Sequence, residues 1–225
     1  MSVSVIQDKN QIKNKKRVQD HGEVFTNERE VKAMCDLVDN EAQRIDSRFL
    51  EPACGDGNFL AEILNRKLKI VNKKYKKSSY DWERNSLLAL GSMYGVDILK
   101  DNVLACRKRL FDIWNKEYKA ICKKSCNEQT KKAAEFILEK NIVCGNALNL
   151  KCVDANANEI DKPIVFSEWT FPRNDSFIQR KDYTFSELLE ENESNTQITL
   201  SNEDNSRFVE QYICSYRNLG EEIGW

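Results

Sequence analysis

The segment Phe49-Leu50-Glu51-Pro52-Ala53-Cys54-Gly55-Asp56-Gly57-Asn58-Phe59-Leu60 holds the densest chemistry in the chain. A short apolar run passes into a loop of small residues and then into a helical pattern. Such a loop lets backbone N–H groups approach a ligand closely, and the following helix offers its positive end. Two nucleotide-binding readings compete for it. A dinucleotide fingerprint requires a small residue where Leu60 stands and an acid roughly 20 residues on. The acid ending the next strand-like run is Asp97, 46 residues past Glu51, so that reading is weak. No GxxxxGK[ST] sequence occurs, which excludes a phosphate-cradling P-loop.

Other chemistries are removed by what is scarce. His21 is the only histidine, which excludes Ser-His-Asp, Cys-His and two-histidine metal sites. Of the eight cysteines, Cys122 and Cys126 form a CKKSC pair, but no second Cys/His pair completes a zinc set. In a chain of 225 residues the cysteines read as reduced thiols rather than a disulfide scaffold. With 35 basic against 36 acidic groups, any nucleic-acid contact must come from local patches. Three stretches qualify: Lys9 to Arg17, Arg66 to Lys77 and Arg107 to Lys132. Solvated helix faces are the alternative reading of each.

The loop must be positioned by regular elements. Val31, Met34, Cys35, Val38, Ala42 and Ile45 recur at helical spacing, with Asn27 as N-cap and Glu30 three residues later. After the loop, Leu60, Ile63, Leu64, Leu68, Val71 and Tyr75 mark one apolar helix face, and the seven basic residues of Arg66 to Lys77 are expected on the other. Residues 81–90 read as a short helix, Met93 to Ile98 as a second strand, and Asp101 as the cap of a further helix. A helical piece ends near Glu139 before the strand Asn141 to Cys144, and Pro163-Ile164-Val165-Phe166 reads as a fourth strand. This alternation predicts an α/β fold with a parallel sheet covered on both faces. Beyond Trp169 no further buried strand is expected, because residues 186–210 carry seven acids and one Arg. The expected organisation is a basic arm over 1–20, a ligand-binding domain over 21–170 and an acidic extension over 171–225. No signal peptide or membrane-spanning run is visible, so a cytoplasmic protein is expected.

The 49–60 segment resembles the first motif of class I S-adenosylmethionine-dependent methyltransferases, in the FLEPACGxGxFL form of adenine-N6 DNA methyltransferases from restriction-modification systems. Gly22-Glu23-Val24-Phe25-Thr26 is similar to the GxxFTP element of that family, with Asn27 in place of Pro. Tyr94 to Ile98 resembles the second motif, whose acid accepts from the ribose hydroxyls, and residues 141–148 resemble the third, with Asn146 where Asp is usual. Asn146 can still accept from an adenine amino group. The resemblance implies a Rossmann-like parallel sheet, incomplete at its C-terminal side, and S-adenosyl-L-methionine as cofactor. The implied cofactor-binding residues are Phe25, Thr26, Glu51, Pro52, Ala53, Gly55, Gly57, Asn58, Phe59, Asp97, Ile98, Asn146 and Ala147.

The family's catalytic (Asp/Asn/Ser)-Pro-Pro-aromatic motif has no counterpart, for no Pro-Pro occurs. The fourth strand instead leads into Ser167-Glu168-Trp169. These are the catalytic candidates: Ser167 or Glu168 as acceptor of an amino proton, Trp169 as a stacking platform for a flipped base. Trp169 packed in the core is the competing reading. The resemblance implies DNA as partner, together with a companion methylase or restriction subunit that completes the site. The expected activity of the chain alone is therefore weak or nil. A non-catalytic cofactor-binding scaffold, and a methyltransferase acting on RNA or protein, stand as alternatives.

Overall fold

In the computed structural model, residues 26–173, 175–194 and 210–220 are described. The first element is α1 (Glu28–Leu37), started by the capping box the sequence shows: Asn27 accepts from Arg29 N at 3.0 Å, and Glu30 accepts from Asn27 N. A short α2 (Asp39–Ala42) leads to β1 (Phe49–Glu51), and the glycine loop follows. Then come α3 (Asn58–Tyr75), α4 (Ser79–Gly91), β2 (Met93–Asp97), α5 (Lys100–Cys122), α6 (Glu128–Asn141) and β3 (Ile142–Asn146). Asp101 lies in the first turn of α5 rather than at its cap, which is Leu99.

β1, β2 and β3 are parallel and in register, with Glu51 level with Gly95 and Asp97 level with Cys144. Their carboxyl ends therefore share one end of the sheet, the usual place for a ligand in an open α/β fold. Beyond β3 the sheet continues antiparallel through β4 (Lys151–Val153) and β5 (Glu159–Pro163), an exposed polar hairpin that no apolar pattern announces.

The fourth strand expected in this sheet is not there. β6 (Val165–Thr170) instead forms a separate antiparallel sheet with β7 (Phe177–Thr184) and β8 (Glu210–Ser215), and α7 (Phe185–Ser194) follows β7. A continuous apolar run does not distinguish a parallel strand from one packed under helices. Two side chains close the outer edge of β6 at Ser167: its N–H donates to Asn141 Oδ1 at 3.0 Å, and Tyr94 OH donates to its carbonyl at 3.2 Å. β7 also corrects the expectation of no buried strand after Trp169. Its inward positions are Ile178, Arg180 and Asp182, and the last two are a buried ion pair that hydropathy does not register as strand.

The core lies between the sheet and α3 to α6. Trp82, Trp114 and Tyr118 are fully buried and stack, with centroids 5.7 Å (Trp82 to Tyr118) and 4.8 Å (Trp114 to Tyr118) apart. Buried Glu83 accepts from Tyr118 OH at 2.6 Å, Tyr216 OH at 2.5 Å and Arg217 at 3.0 Å, so a carboxylate inside the core is fully engaged. The basic face expected on α3 loses Lys67 to the interior and Arg66 to a surface carboxylate cluster. Lys67 donates to the carbonyls of Ile45 and Ser47 and to Ser92 Oγ, and burial pushes its ammonium down to about 7. Arg66 meets Glu62, Asp36 and Asp39 at 2.7–2.9 Å.

Candidate functional site

A cleft of about 590 Å³ opens at the carboxyl ends of β1, β2 and β3, within the size range of small-molecule sites. It brings together Thr26, Glu51, Pro52, Ala53, Gly55, Asn58, Phe59, Asp97, Ile98, Asn146 and Ala147, each of which the sequence nominates. Phe25 lies outside the described residues. Gly57 is nominated as well but does not line the cleft. It is buried at φ +88°, and a Cβ there would stand 2.7 Å from Cys106 Sγ. The missing Cβ lets α3 pack close against Cys106 of α5.

The loop is wired to the second strand. Cys54 N donates to Val96 O at 2.8 Å, and Gly55, in left-handed backbone at φ +51°, donates its N–H to Asp97 Oδ2 at 2.9 Å. Asp97 Oδ1 accepts from Leu99 N at 2.8 Å and from Asn102 Nδ2 at 3.3 Å. Three donors from three places thus fix one carboxylate on the cleft wall. Glu51 stands opposite, half-buried; desolvation raises its carboxyl above the usual range, partly offset by the Ala53 N–H at 3.4 Å. α3 begins without a side-chain cap and without an acid in its first turn, and Asn58 and Phe59 of that turn line the cleft.

Asn146 adds a polar group from β3. Its Oδ1 accepts from Leu148 N at 3.0 Å, and its amide donates to Glu159 at 2.6 Å, which fixes the orientation of the side chain. The carbonyl oxygen has a second lone pair. Sequence reasoning missed several wall residues: Val31 and Met34 on α1, Asp56, Asn102, and Leu148, which is 92% exposed. The apolar periodicity of α1 assigns Met34 to the core, whereas it is half-exposed at the cleft.

Among the described residues, the lining contains Glu51, Asp56 and Asp97 and no lysine or arginine. Arg109 stands behind it, paired with Asp56 Oδ2 at 2.7 Å, while Asp56 Oδ1 is buried without a hydrogen-bond partner among the described residues. Such a wall repels a pyrophosphate and suits a ligand of net positive charge. S-adenosylmethionine, with a sulfonium and an ammonium against one carboxylate, has that charge.

None of the three catalytic candidates lines this cleft. Ser167 is buried in β6 with its hydroxyl donating to Asp182 at 2.6 Å. Glu168 faces Arg48 at 3.6 Å on the far side of β1. Trp169 packs in the core, edge-on to Phe136 at 6.2 Å.

Residues 16–214 match the family described as MmeI, DNA-methyltransferase domain. The chain belongs to that family. This MmeI-type domain is accordingly a DNA-methyltransferase domain of the restriction-modification kind, and methyl transfer by domains of this kind generally uses S-adenosylmethionine. The match runs through β6, β7 and most of β8, so the second sheet is part of the family's domain. No curated protein and no solved structure matches the chain. Among the described residues of the MmeI-type domain, no helix is long and apolar enough to cross a membrane.

Proposed function

We propose that the chain holds S-adenosylmethionine in the cleft at the strand ends and serves as the cofactor-binding part of an adenine-N6 DNA methyltransferase. The observation that carries this reading is the acidic wall formed jointly by the glycine loop, Asp97 and Asn146, which holds no lysine or arginine among the described residues. When bound, the cofactor supplies a methyl group activated by its sulfonium. Asp97 would accept from the ribose hydroxyls, Glu51 would offer a carboxylate to the ammonium, and the uncapped start of α3 would offer N–H groups to the carboxylate. Asn146 Oδ1 accepts from the adenine amino group. The adenine-N6 type rests on the resemblance of residues 49–60, and DNA as substrate on the family.

Catalysis by the chain alone is not part of this proposal. The placement of Ser167, Glu168 and Trp169 outside the cleft favours a division of labour, in which the group that holds the target amine comes from further polypeptide, such as a companion subunit. β1 pairs only with β2 among the described residues, and Leu50 on its outer edge is 38% exposed. A strand added there in parallel would end beside Glu51 and the cleft. Calorimetry with S-adenosylmethionine tests the first half: saturable binding is expected, and its absence would sink the assignment. A methyl-transfer assay on mixed DNA, with and without candidate partners, tests the second. Robust transfer by the isolated chain would overturn the division of labour.

A further inference from the structure

Of the basic stretches that the sequence offers as phosphate contacts, Lys9 to Arg17 lies outside the described residues, and the members of the other two separate into two groups once folded. Lys67 is bound internally, Arg66 pairs with Glu62, Asp36 and Asp39, Arg107 donates to the carbonyls of Glu139 and Ile142, and Arg109 pairs with Asp56. Other exposed lysines, such as Lys69 and Lys108, lie singly along the helices, and Lys108 pairs with Asp112, but six cluster where α3 and α5 end. α3 leaves the cleft after β1 and α5 leaves it after β2, so both helices run away from the cofactor side. Asn72 Nδ2 donates to Glu117 Oε2 at 2.6 Å and holds their later turns alongside each other.

There Lys73, Lys74, Lys76 and Lys77 close α3, while Lys123 and Lys124 follow α5. All six are exposed, and none forms an ion pair among the described residues. The nearby acids are engaged elsewhere: Glu117 by Asn72, Glu128 by Lys131 at 2.6 Å, and Asp81 by Arg84 at 3.8 Å. A helix dipole accounts for a cation or two in a last turn. It does not account for six in a protein whose net charge is −1.

We infer that this lysine pole is a second nucleic-acid surface, which holds the phosphate backbone of duplex DNA by charge without reading its sequence. Lysine ammoniums on flexible stems suit phosphates as point charges, and the absence of arginine among the six argues against planar, bidentate reading of base edges. DNA is the polyanion chosen because the family acts on DNA. The pole is remote from the cleft: α5 alone has 23 residues, a length of about 34 Å. DNA held here is therefore a different stretch from the one presented for methylation.

The test is fluorescence anisotropy on the full chain with a mixed-sequence duplex of about 30 bp, titrated at several salt concentrations. Changing Lys73, Lys74, Lys76 and Lys77 together to Gln should weaken binding about tenfold or more and reduce the slope of log K on log salt by roughly 3–4. Adding Lys123→Gln and Lys124→Gln should weaken it further, while the thermal melt and the calorimetry with S-adenosylmethionine stay unchanged. Equal affinity and slope in wild type and variant would overturn the inference. So would tighter binding of polyglutamate than of the duplex at the same salt, which would make the pole a site for an acidic polypeptide. If cofactor calorimetry fails while the lysine variants still lose DNA, the proposed cofactor site falls and this surface stands.

Discussion

Asp97 and Asp182 are each held by several donors, yet Asp97 stands on the wall of an open cleft whereas Asp182 is sealed between two strands. Gly55, Leu99 and Asn102 orient Asp97 without covering it. Asp182 takes both prongs of Arg180 and the hydroxyl of Ser167, and the Arg180 guanidinium in turn lies over Tyr212 at 4.5 Å. The first arrangement leaves a fixed charge for a ligand. The second neutralises two charges inside a sheet, which specifies pairing but offers nothing to a substrate.

The contrast predicts opposite phenotypes. Asp182→Ala should leave Arg180 buried without its counter-charge and cost about 3–5 kcal/mol of stability, read by urea denaturation. Cofactor affinity should be unchanged wherever the variant is folded. A variant that melts normally but loses cofactor would erase the distinction between the two regions.

Gly57→Val tests the cleft region's own scaffold. A branched side chain at φ +88° against Cys106 combines backbone strain with overpacking, for an expected loss of roughly 2–5 kcal/mol in stability. Gly57→Ala should give a smaller loss of the same kind. If instead the valine variant keeps its melt and loses only cofactor, Gly57 faces the ligand after all.

Asp97→Ala should cost about 1.5–3 kcal/mol of cofactor binding by calorimetry, the range for a hydrogen bond to an ionised group. Asp97→Asn, which keeps an acceptor and removes the charge, should fall between the two. An unchanged dissociation constant in both would reduce Asp97 to an anchor for the loop and the start of α5.

The same contrast explains what was legible beforehand. A glycine loop between a strand and a helix, and an acid ending the next strand, are fixed by backbone chemistry, so residue type and spacing reveal them. Eleven of the nominated cofactor residues consequently line one cleft. At Gly57 the sequence does not say which neighbour a missing Cβ would meet, and the fold sets Cys106 there. β7 was hidden because its inward positions include Arg180 and Asp182, whose compatibility with burial depends on their pairing. The β4–β5 hairpin, with Glu159 to Pro163 exposed throughout, had no apolar alternation to show. Pro163 to Phe166 reads as a strand of the parallel sheet because composition does not say which strand an apolar run will pair with, and the run pairs with β7. The basic stretches were visible as runs, but only the fold separates Lys67, turned inward, from Lys73, turned to solvent.

The smallest expected effect bears on the segment with the strongest competing reading. Glu168 meets Arg48 at 3.6 Å with its side chain 34% exposed and that of Arg48 49% exposed, so the pair is largely screened. Glu168→Gln should change stability by less than about 1 kcal/mol. Because Glu168 lies outside the cofactor cleft, S-adenosylmethionine affinity should be unchanged. Methyl transfer is the decisive readout, since a Glu that accepts the target amino proton would lose rate while leaving the melt and the cofactor isotherm intact. Ser167→Ala is a poorer probe, because it also removes a buried hydrogen bond to Asp182 and confounds activity with stability. Glu168 and Trp169 line a separate groove of about 640 Å³ with Arg48, Leu50 and Tyr94. If DNA methylation, by the chain alone or with a companion, falls by orders of magnitude in Glu168→Gln at constant stability, that groove is part of the active site. The separation between a ligand-facing cleft and a structural second sheet would then have to be redrawn along β6.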